Sequence, residues 1–167
     1  EFAYSWHKRL VEEMLADYRR THPQLEQVVF RVGTILGETT RNQITALFEK
    51  PRLIALKGSA SPFVFIWDQD VVGAIEHAIF GGPAGIYNVA GDGVLALSQA
   101  IHRAGRIAVP IVPPLVGAVG RWVRRGGFAD FSPEQIRLLT HGRAIDTTRL
   151  KSSFGYVPRY TTEEAFD

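Results

Sequence analysis

Tyr4 and Lys8 stand four residues apart in the stretch EFAYSWHKRLVEEMLADYRRTHP. On a helix, residues i and i+4 are neighbours, about 5–6 Å apart at Cβ. A phenol ordinarily ionises near pH ~10, and an adjacent ammonium favours the phenolate. A pair so placed can act as a general acid/base near neutrality. The same spacing also occurs in ordinary packing, where a lysine at the rim of an apolar stripe lays its stem along it.

Other polar residues invite weaker readings. Asp70 could be a catalytic acid, but it stands where a helix should begin, and capping is the better account. Asn88 could touch a ligand or serve a turn. His7 falls inside an apolar stripe and reads as packing. His77, His102 and His141 lack metal-ligand spacing, so no metal site is expected. Arg121, Arg124 and Arg125 could meet a phosphate or an anionic membrane, or simply end a solvated helix.

The elements that must position these residues read as follows. Tyr4 to Thr21 is a helix, with Ala3, Tyr4, His7, Leu10, Val11, Met14, Leu15 and Tyr18 on one broad apolar stripe. Ser5, Arg9, Glu12, Glu13 and Arg20 form the opposite face, and Lys8 sits at the rim. His22-Pro23 stops the helix. QVVFRVGTILG is a buried strand, Asn42–Lys50 a short helix, and FVFIW (63–67) a second strand. A helix capped by Asp70 runs to Phe80 and ends at Gly81-Gly82-Pro83. GIYNVAG is a third strand and VLAL a short fourth. Ser98 caps a helix ending at Gly105. IAVPIVPP is extended because its prolines exclude helix. Leu115–Arg125 is an amphipathic helix, and Ser132-Pro133 opens another. Asp146 or Thr147 begins a short helix ended by FGYVP, and Thr161, Thr162 and Glu164 cap a last turn. Strands alternating with helices predict an α/β fold with parallel pairing.

Composition bounds the classes. The chain has 167 residues, 46% hydrophobic and 22% charged, enough for one domain with a core. A net charge of +2 and no basic stripe with interleaved aromatics argue against a nucleic-acid partner. There are no cysteines, which excludes disulfides and thiolate metal sites and is compatible with a reducing, cytoplasmic setting. No apolar run approaches the ~18 residues of a membrane span. PPLVGAVGRWVRR could lie on a membrane surface, but its length and domain packing make that the weakest reading.

Four ordered motifs carry a resemblance across nearly the whole chain. Tyr4-x-x-x-Lys8, VVFRVGTILG, GIYNVAG and LKSSFGYVPRYTTEEAF resemble the C-terminal half of extended short-chain dehydrogenase/reductases, the NAD-dependent epimerase/dehydratase family. The resemblance implies a Rossmann-like parallel sheet with a mostly helical substrate subdomain. Residues 1–60 and 63–92 would be Rossmann elements, and about 93–167 the substrate or lid part. It implies that Tyr4 exchanges the substrate's hydroxyl proton and that Lys8 assists it and bonds the nicotinamide ribose. Val32, Gly33 and Thr34 would lie beside the nicotinamide of NAD or NADP. No G-x-G-x-x-G occurs, so the part that holds the pyrophosphate and the family's catalytic Ser or Thr would lie upstream of Glu1. A small-molecule substrate and a homodimer through the Tyr4–Lys8 helix are implied as well. Val32 and Gly33, ASPF without an arginine before the second strand, and Trp67 depart from nucleotide-sugar members and weigh against such a substrate. The alternative is a non-catalytic dinucleotide-binding sensor or scaffold of the same fold.

Overall fold

Val28-Val29-Phe30-Arg31-Val32 is β-branched or aromatic at four of five positions, the composition that a pleated sheet favours. The computed structural model, which describes residues 3–56, 58, 61–111 and 142–167, folds this run as strand β1 (Val28–Val32) after helix α1 (Ala3–Thr21). β1 pairs in parallel with β6 (Gly85–Val89), Val28 opposite Gly85 and Val32 opposite Val89. After Gly33 the chain changes partner. β2 (Thr34–Leu36) runs parallel to β5 (Phe65–Trp67) instead.

The single strand expected over QVVFRVGTILG is therefore two, divided where its neighbours diverge. The Gly33 amide makes the last bond to the β6 line, to the Val89 carbonyl at 2.8 Å. The FVFIW strand divides in the same way. Its start joins β4 (Pro62–Phe63), which pairs antiparallel with β7 (Leu95–Ala96), and its end is β5. β3 (Arg52–Leu56) escaped the sequence reading. It pairs in parallel with β8 (Ile107–Ile111), whose Pro110 stands opposite Ala55. A proline is tolerated there because β8 has only one partner among the described residues.

Helix α2 (Gln43–Phe48) starts at Asn42, whose side chain accepts from the Ile44 and Thr45 amides while Thr45 Oγ1 accepts from the Asn42 amide at 2.8 Å. Helix α3 (Asp68–Phe80) follows β5 directly, and α4 (Leu97–Arg103) follows β7. Asp70 is not the cap of α3: Trp67 occupies that position, without a capping side chain. Ser98 is likewise inside α4. There the Gln99 side chain accepts from the Ala96 amide at 3.0 Å and does the capping. Asp146 does cap, accepting from the Thr148 amide at 2.8 Å, before a π-helical turn (Leu150–Phe154) that ends at Gly155 with φ 83°. The helices expected at 115–125 and after Ser132-Pro133 lie outside the described residues.

Successive residues of β5 point to opposite sides, and they enter different clusters. Phe65 joins Leu53, Phe63, Leu95, Leu97 and Ile101. Ile66 joins Ala74, Tyr87, Val89, Leu150 and Phe154. Both faces of this strand are thus covered, as in parallel α/β sheets. The closing segment returns to the same strand. Buried Thr162 accepts from the Phe65 amide at 3.3 Å and donates to the Gly91 carbonyl at 3.0 Å.

Candidate active site

α1 presents two different faces. Tyr4, Lys8, Glu12, Leu15 and Arg19 fall within an arc of about 80° at 3.6 residues per turn. Within that arc Glu12, Leu15 and Arg19 are half-buried, and nearly all the rest of the helix is exposed. The Arg31 guanidinium of β1 clasps the Glu12 carboxylate with both Nε, at 2.9 Å, and Nη2. At the other end Arg19 donates to the Gln27 side chain at 3.3 Å. Two polar contacts therefore mark the face that the helix turns to the sheet.

This corrects the sequence reading of the helix. Glu12 does not belong to a solvent face, and the apolar residues Leu10, Val11, Met14 and Tyr18 are exposed. His7 is exposed too, so it is not a packing residue. An exposed ion pair contributes under about 1 kcal/mol to folding, so the Glu12–Arg31 contact is informative as geometry. It raises the Arg31 guanidinium above its ordinary range through the hydrogen bonds to Glu12.

The contact joins the two groups of residues singled out in the sequence. Lys8 lies one turn before Glu12, with Nζ 5.6 Å from the centroid of the Tyr4 ring. Arg31 directly precedes Val32, Gly33 and Thr34. Val32 ends β1, Gly33 lies between the two strands and Thr34 begins β2, at the point where β1 leaves β6 and β2 takes up β5. Val32 is exposed, Gly33 and Thr34 half-buried. A Cβ at Gly33 would reach Ala90 and Val64 at 3.4 Å, so the side-chain direction points inward.

Other candidates prove structural. Asp70 is 1% exposed and accepts from the Arg159 amide at 2.9 Å, the Tyr160 amide at 3.2 Å and the Tyr156 hydroxyl at 3.3 Å. It is a latch for the closing segment, neither cap nor catalyst. Asn88 stands opposite Arg31 and donates to the Asp146 carbonyl at 2.8 Å. His77 Nε2 lies 2.8 Å from the Phe154 carbonyl. Arg121, Arg124, Arg125 and His141 lie outside the described residues. Among the described residues no group of three His, Cys, Asp or Glu could hold a metal, and no helix is long and apolar enough to cross a membrane. Sequence reasoning missed Glu12 and Arg31. The one available signal was the i+4 step from Lys8 to Glu12.

No protein-family model matches the chain. The uncharacterized protein Rv0501 of Mycobacterium tuberculosis is 35% identical over 148 residues, which cover 89% of this chain and 39% of that protein. The chain thus spans well under half the length of that relative. Among solved structures, dTDP-glucose 4,6-dehydratase of Bacillus anthracis, in complex with NAD, superposes with a TM-score of 0.68 at 17% identity, covering 99% of this chain and 50% of the enzyme. UDP-glucose 4-epimerase of Thermotoga maritima, with UDP-glucose, gives 0.60 at 14% identity over 92% of this chain and 48% of the enzyme. The fold is that of about half of an NAD-dependent epimerase/dehydratase: α/β, with the parallel strand pairs of a Rossmann-like sheet.

Proposed function

We propose that this chain is the C-terminal portion of an NAD(P)-dependent oxidoreductase or epimerase of the extended short-chain dehydrogenase/reductase family, acting on a hydroxyl or keto group of a small molecule. The observation that carries this reading is the Tyr4–Lys8 pair, on the stripe of α1 that Glu12 and Arg31 tie to the carboxyl end of β1. The fold it shares with a dehydratase and an epimerase supports it.

Tyr4 is the acid/base: its phenolate takes the hydroxyl proton as the carbon is oxidised, and the phenol returns it in the reverse direction. Lys8 favours the phenolate and bonds the nicotinamide ribose. That Gly33 carries no side chain where β1 passes to β2 supports the reading that Val32, Gly33 and Thr34 lie beside a nicotinamide. The dinucleotide, when bound, accepts or supplies hydride. Its pyrophosphate requires a glycine-rich turn that these 167 residues do not contain. A homodimer through α1 and a cytoplasmic location belong to the same proposal; the exposed Leu10, Val11, Met14 and Tyr18 support the former.

Tyr4→Phe in the full-length polypeptide tests the assignment. Turnover is expected to fall at least ~100-fold, the scale of a lost acid/base, with NADH binding retained; Lys8→Ala is expected to weaken both. Normal turnover in Tyr4→Phe overturns it, and a non-catalytic sensor of this fold becomes the better account.

A further inference from the structure

Lys8 has a competitor for its attention one turn along the helix. Glu12 stands at i+4 from Lys8, the spacing at which an ammonium and a carboxylate on one helix pair. The adjacent register shows that α1 supports such a pair: Arg9 Nε donates to Glu13 at 2.8 Å. Lys8, by contrast, makes no ion pair among the described residues, and its Nζ lies over the Tyr4 ring. The difference between the two registers is Arg31, which reaches from β1 and takes the Glu12 carboxylate with two nitrogens.

We propose that Arg31 is a positioning residue: by holding Glu12 against β1, it keeps that carboxylate off Lys8 and leaves the ammonium directed at Tyr4. The inference rests on the Tyr4–Lys8 reading above and deepens it. Arg31 itself touches neither Tyr4 nor Lys8 and acts through Glu12. Among the described residues, the charged and titratable groups around Lys8 are few. On α1 they are Glu12, Tyr4, His7 and Arg9, the last engaged by Glu13; on β1 the charged residue is Arg31. Removing Arg31 frees Glu12 to pair with Lys8 in the register that Arg9 and Glu13 already occupy. Tyr4 then shares its neighbouring cation with Glu12, which disfavours its phenolate.

The experiment follows the Tyr4 phenol in the full-length polypeptide saturated with NADH, using ¹³Cζ-tyrosine NMR, with the Tyr4 signal assigned by its loss in Tyr4→Phe. Arg31→Met is expected to move the measured titration midpoint of Tyr4 upward relative to the parent. Glu12→Gln in the same background is expected to bring it back to the parental value. Arg31→Lys, which keeps a cation on β1, should hold the midpoint where it was, and thermal melts establish that each variant is folded. A merely structural role predicts otherwise: the single and double variants would melt earlier with an unmoved Tyr4 midpoint. An unmoved midpoint in Arg31→Met, or no recovery in the double variant, overturns the proposal. Should Arg31→Met not fold, Glu12→Gln alone decides, because a raised midpoint there contradicts the proposal and an equal or lower one supports it. Full turnover in Tyr4→Phe would instead overturn the functional reading, so the two failures are distinguishable.

Discussion

Asp70 shows how one side chain can organise a distant segment. Its carboxylate, 1% exposed, takes two backbone amides and one phenol from residues 156–160. An ionised acceptor is worth more than a neutral one, and leaving its donors buried and unpaired costs more still. Asp70→Ala is expected to destabilise the fold by about 3 kcal/mol, read as a lower denaturant midpoint, with the near-ultraviolet signal of Tyr156 and Tyr160 lost first. A change below ~1 kcal/mol would show that the segment is held by its other contacts. Tyr156 adds a pH dependence. Burial, then the Asp70 carboxylate, push its phenol up to about 12. A phenol raised on folding contributes stability that is complete below its unfolded value near pH ~10 and is lost as pH climbs through the folded value. Unfolding midpoints measured from pH 9 to 12 should therefore fall, and Tyr156→Phe should flatten that fall. An unchanged slope in Tyr156→Phe assigns the loss to other groups.

At the scale of elements, the closing segment works as a strap across the top of β5. Thr162 bridges the Phe65 amide and the Gly91 carbonyl, its own amide bonds the Asp92 carbonyl at 2.7 Å, and Phe166 lies against Phe48 and Phe65. Gly91 is needed here for closeness: a Cβ would meet the Tyr160 carbonyl oxygen at 2.7 Å and the Thr162 amide at 2.8 Å, both backbone. Gly91→Ala is expected to cost about 1–3 kcal/mol, because backbone cannot yield as a side-chain tip can. Thr162→Val, nearly isosteric, should cost a similar ~1–3 kcal/mol by leaving an amide and a carbonyl unpaired. Chemical denaturation measures both, and wild-type midpoints would mean that the strap is not closed in solution.

At the scale of the whole molecule, two of the described helices leave apolar surface uncovered. α1 exposes Trp6, Leu10, Val11, Met14 and Tyr18, and α3 exposes Val72, Ile75, Ile79 and Phe80. Among the described residues, β1 bonds to β6 alone, and its other edge has no strand partner there. Surfaces of this size and unpaired strand edges are costly in water and associate. The isolated 167-residue chain is expected to self-associate through residues 1–36, measured by light scattering. A monodisperse monomer at high concentration, with residues 1–36 ordered, would show that these surfaces need no covering partner.

The fold class, the positions of α1, α3, β1 and β6, and the Tyr4–Lys8 juxtaposition were legible in the residues, because each follows from local periodicity, turn chemistry or an i+4 step. GIYNVAG reads as a strand wherever it is placed, and Asn42 caps α2 with atoms three residues away. Three decisions belonged to the tertiary structure. The roll of α1 is read from the contact of Glu12 with Arg31, 19 residues on, and it leaves most of the apolar stripe exposed, which no periodicity within the helix foretells. The break of one apolar run into β1 and β2 follows from the divergence of β6 and β5, which no pattern within VVFRVGTILG encodes. The role of Asp70 was hidden for the same reason: its donors lie 86 to 90 residues away, and only folding brings a buried carboxylate and those amides to hydrogen-bonding distance.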